Sequence, residues 1–121
     1  MLNFNTLMIG SNDYKKLGDF YGKVFDAKPV FEGDGFVCYQ AGAGFIGIGP
    51  HSEVSGANSE PGRLILNFET KDVQSEFDRV KAIGAKVVKE PYDMGDESGT
   101  MKISTFEDPD GNYFQIVSEW E

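Results

Sequence analysis

With 121 residues the chain can bury one hydrophobic core but is too short for two ordinary independent domains, so a single domain over 1–121 is expected. No apolar run reaches the roughly 18 residues of a membrane-crossing helix, and 40% hydrophobic content with 15 glycines reads as globular. A formal net charge of −9 argues against nucleic acid, which needs clustered Lys and Arg, while it is compatible with a cationic ligand.

The lone cysteine, Cys38, excludes an intrachain disulfide and a cysteine-based zinc site within one chain; within FVCYQ it reads as a small buried hydrophobe. The opening MLNFNTLMIGSND lacks a basic region and a small-residue cleavage site, so a cytoplasmic location is the default expectation.

Residues 4–10, FNTLMIG, read as an opening strand. After the start signal SND, Leu17, Phe20, Tyr21, Val24 and Phe25 recur at i, i+3, i+4, i+7 and i+8, the apolar face of a helix. Gly18 and Gly22 inside that helix each cost about 1 kcal/mol relative to alanine, which points to a close helix approach or local looseness. Strands follow around Pro29 to Glu32, Phe36 to Gln40 and Phe45 to Gly49, joined by the turn sequences EGDG and AGAG.

Residues 50–62, PHSEVSGANSEPG, read as a linker. Beyond it Leu64, Leu66 and Phe68 alternate as one strand face. Asp72 suits a helix N-cap, and Val73, Phe77, Val80 and Ile83 make a second helical stripe closed by Gly84. Strands around Lys86 to Lys89, Met101 to Phe106 and Tyr113 to Ser118 complete the chain, the last preceded by the Asp-Pro-Asp-Gly-Asn turn. Each half therefore reads β-α-β-β-β: module one at about 3–49 and module two at about 63–119.

The repeat has a definite register. An offset of 59 sets Asp13 on Asp72, Ile9 on Phe68 and Thr6 on Ile65; near the ends of the halves an offset of 68 sets Phe45 on Tyr113 and Gly47 on Gln115. Two fused copies of one supersecondary unit fit this better than a short-period solenoid. A ferredoxin-like sandwich is the competing architecture, but it leaves one strand per half unplaced.

Three segments, SNDYKKLGDFYGKVF, FETKDVQSEFDRVKAIGAKVV and FEDPDGNYFQIVS, resemble the vicinal-oxygen-chelate superfamily of glyoxalases, bleomycin-resistance proteins and extradiol dioxygenases. The resemblance covers most of the chain. It implies an α+β fold in which two βαβββ modules form a cup-shaped mixed sheet with helices outside, commonly in a homodimer. In metal-dependent members it also implies a divalent cation held by His, Gln or Glu from the first and last strands of each module. Carried over residue by residue, those positions are Thr6, Gly47, Ile65 and Gln115, of which only Gln115 offers a suitable donor. The one histidine, His51, falls in the linker with no HxH or HExxH spacing. No metal or other cofactor is therefore expected.

Strand alternation sets Thr6 and Met8 on one face, Ile65, Asn67 and Glu69 on another, and Tyr113, Gln115 and Val117 on a third. In the family register these faces line the cup, so Thr6, Met8, Phe45, Asn67, Tyr113 and Gln115 are the expected ligand-binding residues, with no catalytic residue assigned. The reading is a metal-free binder of a small hydrophobic or cationic molecule, without nucleic-acid or membrane partners. The acidic run Asp96 and Glu97 is a candidate overhang at the cleft mouth. Two alternatives stand beside it: a lyase, isomerase or dioxygenase of the same superfamily using a non-standard site such as Glu69 with Tyr113, and a structural partner that binds nothing.

Overall fold

The computed structural model describes residues 1–95 and 101–119; the acidic pair Asp96 and Glu97 lies outside the described residues. Two compact units divide the chain, Met1–Gly56 and Ala57–Glu121. The first contains β1 (Thr6–Gly10), α1 (Tyr14–Phe25), β2 (Phe31–Gly33), β3 (Phe36–Ala41) and β4 (Gly44–Gly49). The second contains β5 (Leu66–Thr70), α2 (Val73–Ala82), β6 (Lys86–Asp93), β7 (Lys102–Glu107) and β8 (Tyr113–Ser118).

Each unit is an α+β module with the expected βαβββ order. The first sheet runs β1-β4-β3-β2 and the second β5-β8-β7-β6. In each, the first strand lies parallel to the last and the other pairings are antiparallel. One helix serves each four-stranded sheet, which rules out the ferredoxin-like arrangement. Among the described residues no helix is long and apolar enough to cross a membrane.

In the first unit Asp13 opens α1 by accepting from the Lys16 amide at 3.2 Å. The helix buries Leu17, Gly18, Tyr21 and Val24. Its glycines serve close approach: a Cβ on Gly18 would stand 2.7 Å from Val37 Cγ1, and one on Gly22 would stand 2.6 Å from the Tyr39 hydroxyl oxygen. The helix thus rests on Val37 and Tyr39 of β3, and the buried Leu17, Tyr21, Val37, Tyr39, Ile46 and Ile48 form the core of this unit. Side chains at the alternate strand positions project from the opposite, helix-free face. Cys38 lies between Val37 and Tyr39 and therefore belongs to that open face, where it is half-buried and not the buried core residue expected. Asp34 and Gly35 both take positive φ in the two-residue connection from β2 to β3, the backbone that lets a hairpin follow the strand twist.

In the second unit Asp72 accepts from the Ser75 amide at 3.0 Å and opens α2. Val73, Phe77 and Val80 of that helix are buried, and Phe77 stacks on Phe106 at 5.1 Å, which stacks on Phe114 at 5.4 Å. The Asp-Pro-Asp-Gly-Asn turn is held from inside. Asp108, 3% exposed, accepts from the amides of Asp110 (2.8 Å) and Asn112 (3.0 Å) and from the Asn112 side chain. Gly111 supplies the positive φ the turn requires.

Three boundaries differ from expectation. Before β1, Phe4 is exposed, and the strand starts at Thr6. Leu64 is exposed too, because Pro61–Arg63 forms a short 3-10 turn and β5 opens only at Leu66. Strand β6 continues to Asp93 through Pro91, which a sheet-edge strand with register shifts tolerates.

Two outcomes follow from the α1 interface. Gly18→Ala gains helix propensity but drives a methyl into Val37, so urea unfolding is expected to show a net loss of about 1–2 kcal/mol, partly recovered when Val37→Ala is added. Burial, with the negative charges of Asp19 and Glu32 adding, raises the Tyr39 hydroxyl above its ordinary value of 10.0. An acid whose folded pKa is raised contributes stability that is complete below the unfolded pKa and lost as pH rises toward and through the folded one. Denaturation midpoints measured above pH 10 should accordingly fall less steeply in Tyr39→Phe than in the parent.

Candidate functional site

The parallel pairings fix which residues stand side by side on the open faces. Across β1 and β4, Thr6 aligns with Phe45 and Met8 with Gly47. Across β5 and β8, Asn67 aligns with Gln115. Met8 and Asn67 are 59 residues apart and Gly47 and Gln115 are 68 apart, so the two pairs are equivalent under the register of the repeat.

Thr6, Met8 and Phe45 share the open face of the first sheet, and Asn67, Tyr113 and Gln115 share that of the second. Thr6 donates its hydroxyl proton to the Asn5 side-chain oxygen. Met8 is 60% exposed, unusual for a side chain so apolar. Gln115 continues a polar row, because Thr105 pairs with it on the other side and Lys89 pairs with Thr105. Within that row the Gln115 amide donates to Thr105 Oγ1 at 3.0 Å, while Asn67 donates to the Ile65 carbonyl at 3.4 Å. Tyr113 is half-buried opposite Glu107, whose carboxylate lies 3.3 Å from the Lys86 ammonium.

A metal does not fit the four positions that the repeat register brings into line. Such a site needs three or four N or O donors converging at about 2.0–2.2 Å. Thr6 offers a neutral hydroxyl already bonded to Asn5, and Ile65 offers nothing. Gln115 donates its side-chain nitrogen to Thr105, so its oxygen is the one suitable donor of the four, too few to hold a divalent ion. The constraint at Gly47 is steric as well as chemical. A Cβ there would stand 2.6 Å from Phe36 Cζ, 2.9 Å from Phe36 Cε2 and 2.7 Å from Met8 Sδ, so an aromatic ring and a thioether occupy the space a ligating side chain would need. Among the described residues no three His, Cys, Asp or Glu side chains gather as a metal-holding group. His51 is exposed, and its Nδ1 accepts from the Glu53 amide at 3.1 Å.

Glu69 and Tyr113 do not form an acid–base pair. Glu69 is exposed and aligned with Val117, four residues along β8 from Tyr113, or about 13 Å at the rise of a strand.

The sequence reading missed Phe31, Phe36 and Thr105. Their signal was present: in FVCYQ the period of two that buries Val37 and Tyr39 must send Phe36, Cys38 and Gln40 to the other face. Phe31 pairs with Cys38 and is 51% exposed, its ring 6.1 Å from that of Phe36.

Comparison with known proteins agrees with this architecture. No curated protein matches the sequence at a significant level. Solved structures share the fold at low identity. A glyoxalase-related enzyme from Fulvimarina pelagi superposes with a TM-score of 0.78 at 20% identity, over 98% of this chain and 89% of that one. A glyoxalase/bleomycin resistance protein/dioxygenase family enzyme from Burkholderia phytofirmans PsJN gives 0.78 at 22%, over 97% and 98%. Lactoylglutathione lyase from Agrobacterium tumefaciens gives 0.73 at 17%, over 96% and 92%. The family model of the Glyoxalase/Bleomycin resistance protein/Dioxygenase superfamily matches residues 3–116, and the chain belongs to that superfamily.

Proposed function

We propose that this chain is a metal-free member of its superfamily that binds a small hydrophobic or cationic molecule on the open faces of its sheets, and that it works as a homodimer. The observation that carries the reading is Gly47. Where the resemblance implies a metal-ligating side chain, a residue without one is covered by Phe36 and Met8. Losing a donor alone could be offset by a neighbouring one, whereas a ring and a thioether in its space must move before any donor can enter. What the first unit offers is apolar, with Met8, Phe31, Phe36 and Phe45 on one face, a composition suited to a small organic ligand. The second unit adds neutral orienting groups in the Asn67, Gln115 and Thr105 row. A net charge of −9 favours a cationic compound over an anionic one.

Metal analysis and native mass spectrometry of the protein as isolated test this directly. The expected spectrum is a dimer without stoichiometric Fe, Zn, Ni or Mn, and dialysis against each ion should not load one equivalent. Gly47→Glu alone should not create tight metal binding, because its Cβ already meets Phe36 and Met8 and two donors with Gln115 are too few. Stoichiometric metal that supports a turnover would sink the proposal.

A further inference from the structure

We infer that the turn between β2 and β3 is a site of covalent modification: Asp34 cyclises onto the Gly35 amide and reopens as isoaspartate. The product is a substrate for the class of S-adenosylmethionine-dependent methyltransferases that esterify isoaspartyl carboxylates. The chain has two Asp-Gly pairs, Asp34–Gly35 and Asp110–Gly111. In each, glycine leaves the following amide nitrogen unshielded by a side chain, the local requirement for attack on the Asp carboxyl. The fold separates the two.

The first pair is placed to react. The β2–β3 ladder closes at Gly33 and Phe36, so the turn amides between them lie outside it, and among the described residues no group accepts from the Gly35 amide. Asp34 is exposed, and beyond the chain neighbours the nearest atom to a Cβ placed on Gly35 is Pro50 Cδ at 4.0 Å, so a five-membered ring has room. Asp34 also holds a φ of 53°, a left-handed conformation unfavourable for a residue with a Cβ, so leaving it for the ring gives up no intrinsic preference. The second pair is clamped. The Gly111 amide donates to the Asp108 carbonyl at 3.0 Å, the Asp110 amide to the Asp108 carboxylate at 2.8 Å, and the Asp110 carbonyl accepts from the Asn58 amide at 2.8 Å. The Asn58 carbonyl oxygen stands 3.3 Å from where a Gly111 Cβ would be, which closes the space around that turn.

The step balances without a co-reactant. The Gly35 nitrogen bonds to Asp34 Cγ while its hydrogen and the carboxyl hydroxyl leave as one water, and hydrolysis of the succinimide at the main-chain carbonyl takes one water back. Mass and charge are unchanged, but the chain now runs through Cγ, one methylene longer, and the former main-chain carbonyl is a carboxylate on Cα. That carboxylate accepts the methyl of S-adenosylmethionine, giving the ester and S-adenosylhomocysteine. The longer connection no longer fits the two-residue turn that pairs Gly33 with Phe36, and β2, three residues at the sheet edge, loses its register on β3.

The test ages the folded protein at neutral pH and, in parallel, the chain unfolded in urea, and maps isoaspartate by electron-transfer fragmentation of the peptides. In the folded protein Asp34 should convert at least about tenfold faster than Asp110, because Gly111 must first give up a hydrogen bond of ordinary strength. In urea the two pairs should convert at similar rates. The aged folded protein should take up labelled methyl from S-adenosylmethionine and a purified isoaspartyl methyltransferase, on the Asp34 peptide. Asp34→Asn, which tolerates the same backbone, should report the site independently through the mass gain of deamidation in that peptide. Equal rates at the two pairs in the folded protein, an intact Asp34 while the unfolded chain reacts, or aged protein that accepts no methyl overturns the assignment.

Discussion

In both units the first strand runs parallel to the last, and a parallel pair cannot be closed by a hairpin. The chain must cross over, and it does so through one helix and two further strands. That crossover covers one face of each four-stranded sheet with a helix and leaves the other without one. It also sets the register in which Met8 meets Gly47 and Asn67 meets Gln115. The chemistry available on the open faces follows from which residues those pairings bring side by side.

The two units meet this constraint with different interiors. Beneath α1, Gly18 and Gly22 let the helix backbone settle on Val37 and Tyr39, so contact is made by shortening the distance between layers. Beneath α2 the layer is filled by rings: Phe77 on Phe106, Phe106 on Phe114, and Phe114 near Phe68. Rings pack in the first unit as well, Tyr21 on Phe25 and Phe25 near Tyr39, but only there do helix glycines bring the backbone onto the sheet. Sequence identity between the halves is accordingly weak although their topology is the same, and either interior satisfies the parallel pairing.

Much of this was legible in the residues because burial imposes a period. The helical stripes of Leu17, Tyr21 and Val24 and of Val73, Phe77 and Val80 identify both helices, and the offsets of 59 and 68 anticipate the strand register. What escaped has a common cause. Phe4 and Leu64 are apolar residues just before strands, and composition alone cannot tell an apolar residue that pairs from one that stays exposed. Cys38 and Phe36 were misjudged or overlooked because both faces of β3 carry apolar side chains, and the one polar mark of the open face, Gln40, stands near the end of the strand.

The open-face positions are also where side-chain chemistry can vary without disturbing the fold. The neighbours of Gly47, Ile46 and Ile48, supply the buried hydrophobic side chains of β4, whereas the Cβ position of Gly47 faces Phe36 and Met8. The absence of a side chain at this open-face position therefore costs the core little and leaves space that an aromatic residue of an adjacent strand can enter. Phe36, two residues from Cys38, which pairs directly with Gly47, is the one within reach. With the ring there, a side chain at Gly47 has to displace Phe36 and Met8, because the two compete for one space. Fold and chemistry are thus separable at this position, and the superfamily assignment by itself says nothing about whether a metal is used.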